Sequence, residues 1–291
     1  MSFMKQAYGF AAISIFVWST VATIAKLLLG SLNSFQVMWA SMPFAALFLL
    51  FVNIFTGNIK QLKGYKLKDY LLSAMCGLPG TFLYYVFYYS ATAIMPASQA
   101  FIVNYLWPIM SVVFACIILK EKLTVKKGIA IFMSFIGVVI VTGGDLLNLN
   151  YTTIKGAMLC ILGAISYGIF TALTQKFPYN KTVTLMLSYA ITFILTGVIN
   201  AVKGNLFVPN LIQLAGFAWN GMFAMAVGSV CWVMALSSGK TAKISNLAYI
   251  TPFLSIIWTA LILKEEITLS AIIGLLVIVC GILIQLKDKK S

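Results

Sequence analysis

Histidine and arginine are both absent from this 291-residue sequence, and only six residues are acidic. Without histidine, general acid–base chemistry loses its commonest agent. No HExxH, GxSxG or Walker lysine loop is present, nor paired aspartates within an apolar run. The six acids (Asp69, Glu121, Asp145, Glu265, Glu266 and Asp288) fall in loops or at helix ends, so no embedded carboxylate suggests a proton relay. Glu121 and Glu265 read as helix-end and loop ion-pair partners for adjacent lysines, with a gating role as the lesser alternative. The lack of arginine also argues against nucleic acid, because guanine readout and planar phosphate clamps favour guanidinium. Five cysteines (Cys76, Cys116, Cys160, Cys231 and Cys280) lie within apolar runs without a CxxC pair, and read as small packing residues rather than metal ligands. No metal, cofactor or enzymatic activity is expected.

Apolar residues make up 62% of the chain, charged residues 9%, and mean hydropathy is +1.01. No soluble domain hides so much apolar surface. Crossing a bilayer takes roughly 20 apolar residues. Stretches of that length predict helices near 7–29, 34–55, 68–91, 96–119, 126–142, 154–174, 182–201, 213–237, 242–263 and 268–286. The expected fold is an all-α integral membrane protein of ten helices, its first helix retained rather than cleaved as a signal peptide.

All 20 basic residues are lysines, giving a net charge of +14. They cluster between the apolar runs, as loop lysines do. Sixteen (5, 60, 63, 66, 68, 120, 122, 126, 127, 176, 181, 240, 243, 287, 289 and 290) fall on one side if both termini are cytoplasmic. Lys26, Lys155, Lys203 and Lys264 fall at or near the other side. That bias predicts an N-in, C-in topology. Lys26 is the single candidate embedded cation, read as snorkelling to the interface ahead of binding a carboxylate. The glycosylation sequons at Asn150 and Asn180 read as chance matches.

Shifting the sequence by 144 positions lays Leu119-Lys120-Glu121 on Leu263-Lys264-Glu265. The same shift puts Tyr105 on Tyr249, Pro108 on Pro252, Gly77 on Gly221 and Gly137 on Gly281. Five helices separate the copies, and an odd number of crossings inverts the second. The expected units are residues 1–142 and an inverted repeat over 154–291. Such halves can expose a central site to either side in turn, which makes transport the leading function class.

Pro108 followed by Leu-Lys-Glu-Lys-Leu-Thr and Gly137, repeated from Pro252, resembles the EamA repeat of the drug/metabolite transporter superfamily. The likeness covers essentially the whole chain. Trp18, Tyr84, Tyr88, Tyr105, Trp107 and Tyr167 stand in positions similar to the aromatic cavity lining of YddG-type aromatic amino acid exporters. That resemblance implies alternating-access export of aromatic and other neutral amino acids across a prokaryotic inner membrane. With these, Asn104, Trp232 and Tyr249 complete the candidate substrate-binding set. Pro79, Gly80, Pro108 and Pro252 are candidate hinges or kinks. The residues support the same wall independently. Tyr84 and Tyr88 share one helix face, Tyr85 and Tyr89 form a neighbouring row, and Pro108 should free backbone carbonyls. The expected partners are a small neutral solute and the lipid bilayer, with the chain acting as a monomer. A nucleoside, polyamine or cationic drug as cargo, or a non-transporting scaffold, remain open alternatives.

Overall fold

A computed structural model describes residues 2–142, 151–236 and 247–286, with side chains from Gln6 to Ile284 of these except Leu236. Every regular element among them is helical. Eight helices are long and apolar enough to cross a membrane. They are α1 (Gln6–Leu29), α2 (Ser34–Phe55), α3 (Leu67–Ile94), α4 (Ala97–Ile118), α5 (Val125–Thr142), α6 (Tyr151–Lys176), α7 (Lys181–Val202) and α8 (Leu211–Ala235). Two shorter apolar helices follow, α9 (Ile250–Leu263) and α10 (Leu269–Ile284). These bounds track the apolar runs closely. The expected start of the ninth helix at 242–246 lies outside the described residues, as do Asn150, Asp145, Asp288, Lys240, Lys243, Lys287, Lys289 and Lys290.

Local chemistry sets several boundaries. Asn33 Oδ1 accepts from the Gln36 amide at 3.0 Å while Gln36 Oε1 accepts from the Asn33 amide at 2.9 Å, closing a capping box on α2. Asn210 and Gln213 repeat the device on α8, at 2.8 and 3.0 Å. Asn180 caps α7 by accepting from the amides of Thr182 and Val183, which gives that sequon asparagine a structural task. The chain leaves α2 through Gly57 (φ 73°) and α7 near Gly204 (φ 65°), where a side chain would be strained.

Four spans are not regular. Helical pairing in α1 is interrupted at Thr20. A π-helical stretch spans Pro79–Leu83 in α3, and a second spans Trp219–Val227 in α8. In α4 the helix breaks at Tyr105–Leu106, ahead of Pro108. A proline lacks its N–H and clashes with the carbonyl four residues back, so the disturbance falls in the preceding turn.

The helices pair in a regular way: α2 lies against α7, and α5 against α10. α1 packs on α8 and α9, while α6 packs on α3 and α4. Glycines permit the closest approaches. A Cβ on Gly137 would stand 2.8 Å from Gly274 O, one on Gly274 would stand 2.6 Å from Gly137 O, and one on Gly281 would stand 3.0 Å from Ala130 O. Outward faces carry exposed Leu47, Phe51, Phe55, Phe132 and Val139. So much contiguous exposed apolar surface is compatible with lipid and incompatible with water.

Candidate functional site

The helix irregularities converge on one cavity of about 870 Å³, open space at its mouth included. Trp18 and Val21 flank the interruption in α1, Gly80, Tyr84 and Tyr85 lie at the π-stretch of α3, and Phe101, Asn104, Tyr105 and Trp107 lie around the break in α4. Tyr167 and Phe170 come from α6, and Leu185 and Tyr189 from α7. Ala224, Met225 and Ser229 of α8, with Ala248 and Thr251 near the start of α9, complete the wall. Half of these residues are aromatic, and none is charged.

The rings form a connected surface. Tyr84 meets Tyr167 with centroids 5.2 Å apart, and Trp107 meets Tyr167 at 5.1 Å with planes 66° apart. Trp107 also sits edge-on to Tyr105 at 6.1 Å, and Phe170 extends the row from Tyr167 at 5.3 Å. These offset and edge-on arrangements suit the quadrupoles of the rings, each pair contributing about 0.5–1.5 kcal/mol beyond area burial. Gly80 makes room for the row, since a Cβ there would come within 2.7 Å of Phe170 Cδ1.

Polar groups on the wall are largely spent holding it. Asn104 Nδ2 donates to Tyr84 Oη at 2.8 Å, and Trp18 Nε1 donates to the Ala224 carbonyl, within the π-stretch of α8, at 3.1 Å. Tyr105 Oη donates to the Ala248 carbonyl at 2.6 Å. Ala248 stands four residues before Pro252, so its carbonyl lacks the usual helical donor; it accepts instead from the Thr251 amide at 3.0 Å and from Tyr105 across the two halves. The wall therefore presents mainly ring faces, with few uncommitted donors or acceptors.

Of the residues proposed from sequence, Trp18, Tyr84, Asn104, Tyr105, Trp107 and Tyr167 come together on this wall. Tyr88 does not line it. Its ring is fully buried and stacks behind Tyr84 at 5.8 Å with planes 16° apart. Trp232 packs against Trp18 at 5.4 Å, one layer back, and Tyr249 is half-buried beside the core. Pro79 opens the π-stretch of α3, while Pro108 and Pro252 follow the breaks next to Tyr105 and Tyr249. Tyr85, Phe101, Phe170, Leu185, Tyr189, Met225, Ser229 and Thr251 line the cavity without having been expected there from the sequence. They lie in runs that are apolar on every face, and periodicity gives such helices no direction.

Three other readings change. Glu265 makes no helix-end pair with a neighbouring lysine; it accepts from the amides of Ala97 and Ser98, far away in sequence. Lys26 does not simply snorkel, because its ammonium donates to the carbonyls of Thr92 and Met95. Among the cysteines, Cys76, Cys160 and Cys231 are buried packing residues, but Cys280 is exposed.

The whole arrangement can be set beside known proteins. The EamA-like transporter family matches residues 5–143 and again 154–286. The chain belongs to the EamA-like transporter family. Members similar to it include an uncharacterized transporter of Clostridium kluyveri, 25% identical over 99% of this chain and 95% of the relative. An aromatic amino acid exporter, YddG, of Ancylobacter novellus is 24% identical over 62% of this chain and 63% of its own. A protein of Streptantibioticus cattleyicolor named a probable terminal-alkyne amino-acid exporter is 23% identical over 75% and 73%. A solved crystal structure superposes with a TM-score of 0.70, covering 99% of both chains at 18% identity, a likeness of fold. As an EamA-like protein this chain is a multi-pass membrane transporter, and transport implies a small-molecule substrate.

Proposed function

We propose that this EamA-like transporter exports aromatic and other hydrophobic amino acids by alternating access, and that the aromatic cavity is where the cargo sits. The observation that carries the reading is an uncharged wall, half of it aromatic, where the irregular helices meet. Burying about 200 Å² of a ring-bearing side chain stabilises the complex by ~5 kcal/mol, and contacts with wall rings add to that. No fixed charge holds the head group, so the site is permissive and lets cargo leave. The names of the two amino-acid exporters among the relatives point the same way.

The architecture behind this reading is ten membrane helices in two inverted five-helix units, 1–142 and 154–291, with both termini cytoplasmic. Several features support it. Exchanging each helix for the one five places on turns the α1 contacts with α8 and α9 into those of α6 with α3 and α4. The same exchange leaves α2–α7 and α5–α10 unchanged. Lys120 (φ 59°) and Lys264 (φ 58°), 144 positions apart, are the only non-glycine residues of positive φ among the described residues. Gly137 against Gly274 is matched by Gly281 against Ala130, the contact the shift requires. The protein acts as a monomer in a prokaryotic inner membrane, without proton coupling.

The test is counterflow of radiolabelled phenylalanine or tryptophan into proteoliposomes without a pH gradient, beside Tyr84→Ala. Accumulation that the variant loses is the expected result. Absence of flux for either solute, from protein that elutes as a single folded species, sinks the cargo assignment; flux only under a proton gradient sinks the uncoupled one.

A further inference from the structure

The segments leaving α4 and α9 make the same turn. After left-handed Lys120, the Glu121 amide returns to the Ala115 carbonyl at 3.3 Å; after left-handed Lys264, the Glu265 amide returns to the Thr259 carbonyl, also at 3.3 Å. Thr124 and Thr268 then cap the next helices through the amides of Lys127 and Ala271. Backbone geometry therefore launches both glutamates identically. Any difference in what they do comes from what stands in front of them.

Among the described residues, Glu121 pairs with Lys127 of its own half at 3.1 Å while half exposed. Glu265 crosses to the other half. Its Oε1 accepts from the Ala97 amide at 2.6 Å, and its Oε2 accepts from the Ser98 amide at 2.9 Å and the Ser98 hydroxyl at 2.7 Å. These are the first amides of α4, the positive end of that helix. Lys26 of α1 holds the same joint from its other pole, donating to the carbonyls of Thr92 at 2.7 Å and Met95 at 2.8 Å. The α3–α4 joint is thus gripped by a carboxylate on its amides and an ammonium on its carbonyls. Charge-assisted bonds of this kind are about twice as strong as neutral ones. Phe101, Asn104 and Tyr105 of α4 line the cavity one to two turns below, so the grip fixes one end of the wall.

We propose that Glu265 and Lys26 form a latch that holds the outer mouth of the cavity closed, and that each transport cycle must break it. The inference rests on the transporter reading and the N-inside topology. The structure is accordingly in the state latched at this mouth. Opening requires α4 to part from the α9–α10 turn, leaving carboxylate and amides to water.

The latch is tested by accessibility, which needs no cargo. A cysteine-free chain carrying Ser229→Cys on the cavity wall is labelled in intact cells with a membrane-impermeant thiosulfonate. Glu265→Gln and Lys26→Met should each raise the outside labelling rate about tenfold, the loss of one hydrogen bond to a charged group. In a second variant, Ser98→Cys and Glu265→Cys joined by a short bis-thiosulfonate should lose outside labelling of Ser229→Cys, and reductant should restore it. Unchanged labelling in both single variants, purified as folded monodisperse protein, would falsify the latch, as would full outside labelling of the cross-linked chain. If the rise occurs only with reagent on the cytoplasmic side of inverted vesicles, the assignment to the outer mouth is overturned. A rise without amino-acid counterflow supports the latch while removing the cargo assignment.

Discussion

The two proline-broken helices descend from matching sequence, Asn104-Tyr105-Leu106-Trp107-Pro108 in α4 and Ala248-Tyr249-Ile250-Thr251-Pro252 at α9, yet they build unlike walls. From α4 the cavity receives Phe101, Asn104, Tyr105 and Trp107; from the described residues at the start of α9 it receives Ala248 and Thr251. Tyr105 spends its hydroxyl on the Ala248 carbonyl, whereas Tyr249 stands outside the lining. Both breaks disturb the backbone in the turn before a proline, because the missing N–H is a covalent fact. Side chains carry no such obligation. Of these two helices, one supplies ring faces and the other small side chains, so an architecture of paired elements encloses a lopsided site.

The largest expected effect separates structure from function within the aromatic row. Tyr88→Ala should destabilise the protein by about 3–5 kcal/mol, the usual cost of emptying a buried ring site, and lower the detergent melting temperature sharply. Tyr84→Ala, on the open side of the same stack, should leave melting far less changed and lower counterflow about tenfold or more. Equal melting losses would abolish the distinction between a wall ring and the ring behind it. Thr251→Trp places on α9 the residue its counterpart carries on α4. It should fill the cavity and suppress tryptophan counterflow about tenfold while sparing alanine; if both solutes move normally, the cargo does not pass between the two breaks. The smallest effect sharpens the comparison of the tyrosines. Tyr105→Phe removes one of the two hydrogen bonds on the Ala248 carbonyl, leaving that of the Thr251 amide, and should cost about 0.5–1.5 kcal/mol in thermal or denaturant unfolding, where Tyr249→Phe costs a few tenths at most. Equal costs would mean the cross-half hydrogen bond does not distinguish them.

Helix positions were legible because the bilayer demands long apolar runs, and lysine clusters mark their ends. The doubled Leu-Lys-Glu triplet was legible for the same reason: a sharp turn between apolar runs stands out. The break in α4 was expected from Pro108, and it falls at Tyr105–Leu106, in the preceding turn on which a proline acts. Tyr84 and Tyr88 were correctly placed on one face by their spacing. Which of them borders the cavity depends on helix tilt, and spacing does not encode tilt. Phe170, Leu185 and Tyr189 gave no signal, being apolar residues among apolar neighbours. Glu265 looked like a local ion-pair partner because its actual partners, Ala97 and Ser98, lie 168 and 167 residues away.

The absence of charge from the cavity wall reaches beyond cargo choice. A membrane potential does work only on charge that moves through it, about 2.3 kcal/mol per elementary charge per 100 mV. When the empty wall turns from one face of the bilayer to the other, it carries no charged side chain through the field. A zwitterion inside adds none in total. Under the proposed uncoupled transport of amino acids, the driving force on the carrier is then the concentration ratio of its solute, and a cell that changes its voltage leaves the direction of flow where the solute set it.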